Sequence, residues 1–288
     1  MKSDFYSILS RLRRHGLGNS FTYFMGRFYS VRVAHYWCNR VLRPHQETVR
    51  KTTHDSSEQL VESFDLDATL HLLRTQSVAA SVKLTATGLE LMRTEIANAK
   101  KHEAFGACEE IDPDMLRRRV DANDPVLMID FRSPSIGAAC QRVADDVQLT
   151  TLATRFLGKP PTRTEIRVGE SLVATASSAF RESKHQTVMF HYDVHALSFL
   201  YIFFYLSSTT AMSGAHELIL GSHRGKKLRH LLTSAKTHDQ DIYETYGRER
   251  ALIIEGVAGS GFVEDTSCFH RALPPLSSPR LTLQIRYS

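Results

Sequence analysis

Cysteine is scarce in this sequence of 288 residues, and its four cysteines lie far from one another. They form no Cys-x-x-Cys pair and no closely spaced disulfide framework, which excludes the cysteine-rich zinc sites and the small disulfide-stapled folds. Dispersed cysteines are typical of a reducing compartment, so we expect a cytoplasmic protein. The four are Cys38, Cys108, Cys140 and Cys268.

Long apolar runs are missing as well. The longest unbroken run, residues 199–206, has eight residues, whereas a membrane-spanning helix needs about 18. The N-terminus, MKSDFYSILSRLRRHG, lacks the apolar centre and the small-residue cleavage site of a secretory signal. We therefore expect neither a membrane-spanning segment nor export.

Acidic residues are rare near the N-terminus. Residues 1–51 contain ten of the 36 Lys and Arg but only two of the 31 Asp and Glu, and aromatic residues are interleaved with the arginines over residues 1–43. One interpretation is a helical extension packed on its own domain with solvated arginines. The other is a surface for an anionic membrane or an acidic carrier protein, which would make the protein membrane-peripheral. No nucleic-acid-binding motif accompanies the arginines, so we expect no nucleic-acid partner.

The chain divides into a basic, aromatic helical extension with a polar linker, residues 1–60, and one domain, residues 61–288. The first part of that domain predicts helices, because capping residues precede apolar positions at helical spacing. A short apolar run, VLMID at 126–130, predicts a strand. The predicted helices are DLDATLHLLRTQ, TATGLELMRTEIANAKKHE and DVQLTTLATRFLGKPP, the last ending at Gly158.

From residue 162 onward, short β-type runs are separated by turn residues, with one helical insertion at about residues 225–246. In the last run Leu281, Leu283 and Ile285 alternate with polar residues, which predicts a strand with one buried face. Such a series predicts a mainly β sandwich or barrel with flanking helices. The runs are TEIRV, SLVATA, QTVMF, FLYIFFYL, ALIIE, GFVED and RLTLQIRY.

A candidate metal site precedes the most apolar of these strands, in the segment MFHYDVHALSFLYIFFYL. His191 and Asp193 are two residues apart, so in an extended backbone both side chains project to one face. A second, distant histidine would complete a facial triad of two histidines and one carboxylate, which holds iron(II) and leaves coordination positions open. His270 follows a strand-like run and Arg280 begins the next. An antiparallel hairpin would place these two residues at the same end, near the same cavity.

Three segments, in this order and spacing, resemble the phytanoyl-CoA dioxygenase-like (PhyH) family of iron(II)- and 2-oxoglutarate-dependent oxygenases. They are QTVMFHYD, FLYIFFYLSSTTAMSGAHELILGSHRG and GSGFVEDTSCFHRALPPLSSPRLTLQI. They are similar to the family's His-x-Asp strand, its core strand and Gly-Ser-His loop, and its distal His followed by Arg. The resemblance covers about residues 60–288 and implies a double-stranded β-helix (jelly-roll, cupin-like) core over about residues 162–288.

The resemblance implies His191, Asp193 and His270 as iron ligands and Arg280 as the partner of the distal carboxylate of 2-oxoglutarate. It also implies a cosubstrate contact for Gln186. The implied cofactors are Fe(II), 2-oxoglutarate and O2. The implied reaction is hydroxylation of an aliphatic C–H of a small molecule, lipid-like or a specialised metabolite, with release of succinate and CO2. Desaturation or cyclisation is an alternative outcome.

Two positions depart from the family pattern. Leu220 stands where a proline usually precedes Gly-Ser-His, and Phe190 stands where Trp or Pro is common before the first ligand. Among the other polar residues, we interpret His195 as a neighbour of the ligands and Asp265 as a hydrogen-bonding structural residue. We expect His216 and His223 in a loop that shapes or lines the pocket.

Two other functions remain open from the sequence. The same three ligands could hold zinc in a metal-dependent hydrolase or isomerase. A non-catalytic binding protein could retain the barrel and use its basic N-terminus as a contact surface.

Overall fold

The computed structural model describes residues 21–42, 59–104, 110–184, 186 and 188–288. Most of the predicted linker and the first 20 residues lie outside these ranges. The helices are α1 (Tyr29–Leu42), α2 (Leu66–Gln76), α3 (Ala86–Ala97), α4 (Pro113–Asp121), α5 (Pro134–Ala144), α6 (Val147–Leu157), α7 (Ser178–Ser183), α8 (Leu228–Leu232) and α9 (Asp239–Tyr246). The strands are β1 (Val78–Lys83), β2 (Lys100–Glu103), β3 (Met128–Arg132), β4 (Thr164–Ser171), β5 (Leu200–Tyr205), β6 (His216–Ile219), β7 (Ala251–Ile254), β8 (Ser260–Glu264), β9 (His270–Ala272) and β10 (Arg280–Tyr287).

Seven strands form the larger, antiparallel sheet in the order β1-β8-β5-β10-β4-β3-β2. The last strand, β10, lies near its centre and pairs along its length with β4 and β5. The alternation predicted for this strand is observed: Leu283 and Ile285 are fully buried in the core beneath the helices, whereas Gln284 and Arg286 lie on the opposite face.

Three strands form the smaller sheet in the order β7-β6-β9, and the extended residue His191 joins its edge by a bridge to His270. Leu218 and Ile254 of this sheet pack on aromatic residues of β5 and β8 in the larger one. Two facing antiparallel sheets with helices on the outer side confirm the predicted class, a mainly β jelly roll with flanking helices.

Capping residues account for the helices that the sequence predicts. Asp65 accepts hydrogen bonds from the backbone N–H groups of residues 67 and 68, and Thr85 accepts one from Gly88. Helix α6 ends at Gly158, whose positive φ of 74° continues the chain in the left-handed region that favours glycine. Together with α2, α3 and α5, α6 covers the outer face of the larger sheet.

The N-terminal helical residues pack on the domain. A Cβ atom at Gly26 would lie 2.6 Å from Val194, so the backbone there comes close to the segment after the predicted ligands. Arg27 donates to the carbonyl oxygens of Leu231 and Thr233, and Arg32 is buried. These contacts favour the interpretation of a packed extension, although both of these arginines are bound rather than solvated.

Several strand predictions differ from the structure. The strand predicted at 126–130 begins two residues later, at Met128. SLVATA contributes only Ser171 to a strand, because β4 ends there and the chain leaves the sheet. His216 lies in strand β6 rather than in a loop, and this strand was not recognisable because His216 and Glu217 interrupt its apolar run although both are buried.

The predicted hairpin between His270 and Arg280 is wrong. Strand β9 belongs to the smaller sheet and β10 to the larger one, so the two residues begin strands in facing sheets. The connecting segment crosses between the sheets instead of turning back along one of them. Among the described residues, no helix is long and apolar enough to cross a membrane.

Candidate metal centre

The side chains of His191, Asp193 and His270 converge at one point between the sheets. One potential ligand atom from each residue lies within 4.8 Å of those of the other two. Nε2 of His191 is 4.0 Å from Asp193 Oδ1, and Nε2 of His270 is 3.7 Å from Asp193 Oδ2. These separations are wide enough for an ion to lie between the three atoms, since metal–ligand distances to N and O are about 2.0–2.2 Å.

Backbone pairing brings the three residues together. The N–H of His191 donates to the carbonyl of His270 at 2.9 Å, and the reciprocal hydrogen bond measures 2.8 Å. The N–H of Asp193 donates to the carbonyl of Thr266 at 2.8 Å. The segment that carries the first two ligands is therefore attached by main-chain hydrogen bonds to the segment that carries the third.

Both imidazoles are oriented with Nε2 toward the centre. Nδ1 of His191 lies 3.1 Å from the Met189 carbonyl, and Nδ1 of His270 lies 3.1 Å from the Cys268 carbonyl. A carbonyl oxygen can only accept, so each Nδ1 carries the proton and each Nε2 keeps its lone pair. This arrangement is typical of histidines that bind metal through Nε2.

The electrostatic environment keeps the triad in the state that a cation requires. Burial and then the neighbouring His270 lower the pKa of His191 to about 4, so this imidazole is neutral at pH 7. Burial by itself would raise the pKa of Asp193, but the hydrogen bond from His195 and the nearby histidines lower it overall. At these two positions the site therefore offers a neutral imidazole and a carboxylate.

Arg280 is buried without a carboxylate partner among the described residues. Its Nη1 donates to the carbonyl of Gly214, its Nη2 lies 3.4 Å from Ser171 Oγ, and its Nε has no hydrogen-bond partner within the described ranges. Burial lowers the pKa of the guanidinium, and the positive charge of Arg167 lowers it further. A buried cation with an orphaned donor fits an incoming carboxylate.

His216 links Arg280 to the metal centre. Its ring stacks on that of His270 with the centroids 5.3 Å apart, and the charge of Arg280 contributes to lowering its pKa after the larger effect of burial. Arg280 therefore lies near a histidine whose ring stacks on that of a predicted ligand.

Gln186, the other predicted cosubstrate contact, is buried beside α7. Its Oε1 accepts a hydrogen bond from Arg181 Nη1 at 2.6 Å. Arg181 also donates to the carbonyls of Ala174 and Ala176, so the guanidinium and the amide hold the segment that leads to the first ligand. The cosubstrate contact of Gln186 stays a prediction.

A series of polar side chains leads outward from Asp193. Nε2 of His195 lies 3.6 Å from Asp193 Oδ2 and 3.0 Å from the hydroxyl of Tyr201. Arg286 donates to that hydroxyl at 3.2 Å and forms an ion pair with Glu165. His195 thus lies beside the Asp193 carboxylate, as expected for a neighbour of the ligands.

Sequence reasoning missed Glu264, which is completely buried beside the triad. Its Oε2 lies 2.8 Å from His216 Nε2, and its Oε1 lies 4.0 Å from His270 Nδ1. Burial alone would raise the pKa of Glu264, but His216 and His270 lower it overall. The sequence around Glu264, between Val263 and Asp265 in a strand-like run, does not indicate a functional residue. Its place beside the triad depends on His216, which comes from another strand.

The inward face of β10, β4 and β3 beyond the triad is polar, and we call it the polar floor. Gln284 lies opposite Arg167 and Arg286 opposite Glu165 in the β10–β4 pairing, and Arg167 Nε contacts Asp130 Oδ1 at 2.6 Å. These five side chains are half-buried or partly exposed. The other face of the same strands is apolar and packs on the helices. The polar floor therefore lies on the face of these strands that points away from the helix-covered core.

Comparison with known proteins gives the fold. No protein-family model matches the chain, and no curated protein sequence matches it. The structure of EvdO2 from Micromonospora carbonacea var. aurantiaca is similar at a TM-score of 0.51 and 17% identity, covering 80% of this chain and 93% of that one. EvdO2 complexed with 2-oxoglutarate is similar at a TM-score of 0.50 and 16% identity, with the same coverage. At these identities the likeness establishes a shared jelly-roll fold.

Proposed function

We propose that the protein is a non-haem iron(II)- and 2-oxoglutarate-dependent oxygenase that hydroxylates an aliphatic C–H of a small molecule. The observation that carries this proposal is the convergence of His191, Asp193 and His270 beside a buried Arg280 that lacks a carboxylate partner among the described residues. EvdO2, which has the same fold, was crystallised with 2-oxoglutarate. The residue types suit both groups: a facial triad for iron and a guanidinium for a carboxylate.

In this proposal, Nε2 of His191, Nε2 of His270 and a carboxylate oxygen of Asp193 would hold iron(II). Arg280 pairs with the distal carboxylate of 2-oxoglutarate. When bound, iron with 2-oxoglutarate supplies the activation of O2 and the oxidation of the substrate, with succinate and CO2 as co-products.

The residues of the chain supply geometry and a dry environment. The carbonyls of Met189 and Cys268 hold the two imidazoles in the tautomer that binds metal. The stacked rings of Phe203 and Phe262, with centroids 4.8 Å apart, both contact His216 and place apolar surface near the proposed centre. His195 lies 3.6 Å from Oδ2 of Asp193 and adds a polar neighbour to this carboxylate.

The polar floor supports a polar, hydroxyl-bearing substrate over a lipid-like one. The Arg286–Glu165 and Arg167–Asp130 pairs present donors and acceptors side by side, which suits hydroxyl groups that both donate and accept. An acyl chain against these ion pairs would leave their remaining donors and acceptors without partners. A water-soluble specialised metabolite therefore fits this face better.

Anaerobic titration with iron(II) and 2-oxoglutarate, followed optically, tests the proposal without a known substrate. We expect a metal-to-ligand charge-transfer band that requires both components. A protein that binds zinc tightly, gives no such band and forms no succinate in air would support the hydrolase or isomerase function instead. A protein that retains no metal would leave a non-catalytic binding role.

A further inference from the structure

We propose that Arg32, on the N-terminal helix α1, is a positioning residue for the metal centre and acts through Asp265. This inference rests on the proposed iron site and assigns to the N-terminal helix a role within it. The helix would then belong to the catalytic domain rather than form a separate extension.

Arg32 and Asp265 form a bidentate, buried ion pair. Nη2 of Arg32 lies 2.9 Å from Asp265 Oδ1, and Nη1 lies 3.0 Å from Oδ2. The two side chains are 8% and 4% exposed. Nη1 also donates to the hydroxyl of Ser267, and the guanidinium lies over the ring of Phe199 at 5.2 Å. The planar guanidinium thus contacts two residues of one short segment and the residue before β5.

Asp265 in turn fixes the segment 265–270. Its Oδ1 accepts a hydrogen bond from the N–H of Ser267 at 3.1 Å, and its carbonyl accepts one from Cys268 at 3.0 Å. Its own N–H donates to the carbonyl of Ser77 at 2.8 Å. Burial would raise the pKa of Asp265, but Arg32 overrides this effect and lowers the pKa to about 2.

All three proposed ligands belong to this segment or are attached to it by main-chain hydrogen bonds. It ends at His270 and contains the Cys268 carbonyl that orients the His270 ring. The carbonyl of Thr266 accepts from the N–H of Asp193, and His270 exchanges two main-chain hydrogen bonds with His191. A shift of residues 265–268 would therefore displace Asp193 and His270 relative to each other.

Removal of the Arg32 guanidinium leaves a buried carboxylate, which must either draw in water or move toward solvent. Either response displaces the segment that carries the ligands. Groups that orient metal ligands without touching the metal typically change metal affinity by about 10–100-fold when they are removed. An ion pair that only anchored the helix would lower the thermal stability and leave the metal affinity unchanged.

The experiment compares Arg32→Met, Asp265→Asn and the double variant with wild type. Dissociation constants for Fe(II) and Co(II) are measured anaerobically on the full chain, and thermal unfolding is measured without metal. The matched control is Arg119→Met, which breaks the half-buried Arg119–Glu103 ion pair between α4 and β2. Arg32→Lys keeps the charge but not the two parallel hydrogen bonds, and it serves if Arg32→Met does not fold.

We expect each single variant to bind both metals at least 10-fold more weakly, the double variant to be no worse than the poorer single variant, and the control to stay within twofold of wild type. Folded Arg32 and Asp265 variants with affinities within twofold of wild type would overturn the inference. A wild-type protein that binds no iron would overturn the proposed function itself. If the wild-type protein binds iron but not 2-oxoglutarate, the metal affinities of the variants still test the role of Arg32.

Discussion

At the scale of single residues, the three proposed ligands differ in what a substitution of their side chains would remove. His191 and His270 are fixed by main-chain hydrogen bonds that do not depend on their side chains, whereas the Asp193 carboxylate is the only negative charge in the triad. Replacement of Asp193 therefore removes a ligand and a charge with little expected effect on the backbone around it.

Asp193→Ala should weaken Fe(II) binding by at least about 100-fold, more than the loss of an outer hydrogen bond does. It should also abolish succinate formation coupled to a substrate. Isothermal or optical titration measures the first effect and succinate assay the second. Asp67→Ala, at an exposed position on α2, is the control. Unchanged iron affinity in Asp193→Ala would contradict the proposed ligand set.

Arg280→Leu should raise the dissociation constant for 2-oxoglutarate by about 10–100-fold, because hydrogen bonds to a charged group contribute about 1.5–3 kcal/mol. Iron affinity without 2-oxoglutarate should stay within twofold. The charge-transfer band, titrated with 2-oxoglutarate, measures the shift, and Arg155→Leu on the surface of α6 is the control. Equal 2-oxoglutarate affinity in Arg280→Leu and wild type would place the distal carboxylate elsewhere.

At the scale of elements, strands β10, β4 and β3 present two chemically different faces. Asp130 lies on the polar floor, and Lys101 of the neighbouring strand β2 lies on the opposite face, over the ring of Phe131. Substitutions on the two faces therefore separate effects on the substrate from effects on the sheet.

In a panel of water-soluble hydroxylated compounds and fatty-acyl compounds, we expect succinate formation to be stimulated by members of the first group. Asp130→Ala should lower this stimulation by about 10-fold or more, since it removes an acceptor of the polar floor and the carboxylate that Arg167 Nε contacts, while the charge-transfer band is retained. Lys101→Ala is the matched control. Stimulation by acyl compounds alone, or stimulation that Asp130→Ala leaves intact, would argue against a polar substrate.

Sequence reasoning was strongest for elements whose signals are local. The caps at Asp65 and Gly158 and the alternation in β10 depend on neighbours a few residues away, and each is observed. Strand β6 gave no such signal, because the burial of His216 and Glu217 depends on partners from β8 and β9. The hairpin prediction was wrong because the spacing of two residues does not decide which sheet each strand joins.

At the scale of the whole molecule, the parts of the candidate site that could be predicted are those with a short sequence pattern. His191 and Asp193 are two positions apart, and the resemblance to the oxygenase family implied the roles of His270 and Arg280. Arg32 and Asp265 are 233 positions apart, and Arg32 lies outside the segments that carry the family resemblance. Their pairing depends on how α1 docks, so only the folded chain brings them together.

Truncation separates the two predicted roles of the N-terminal region. Deletion of residues 1–20 leaves α1 and Arg32 in place and should not change metal affinity. Deletion of residues 1–42 removes Arg32 from its ion pair with Asp265 and should lower the unfolding temperature by about 10 °C, because loss of one partner of a buried ion pair costs about 3–5 kcal/mol. Calorimetry and metal titration measure both. Equal stability of the two truncated proteins would contradict the packed role of α1.

Liposome partitioning of the same two truncated proteins tests the predicted membrane contact. Partitioning of the full chain onto anionic vesicles that is lost on deletion of residues 1–20 would support it. Equal partitioning of the full chain and both truncated proteins would contradict the predicted membrane contact.

The main-chain pairing of His191 with His270 has a mechanical consequence. These residues lie at the two ends of a stretch of about 80 residues, and an ion bound by both would cross-link that stretch as a disulfide does. The chain entropy that such a cross-link removes from the unfolded state amounts to about 4 kcal/mol for a loop of this length. Metal binding would thus stabilise the edge of the smaller sheet. The ion would then contribute to the stability of the fold that binds it.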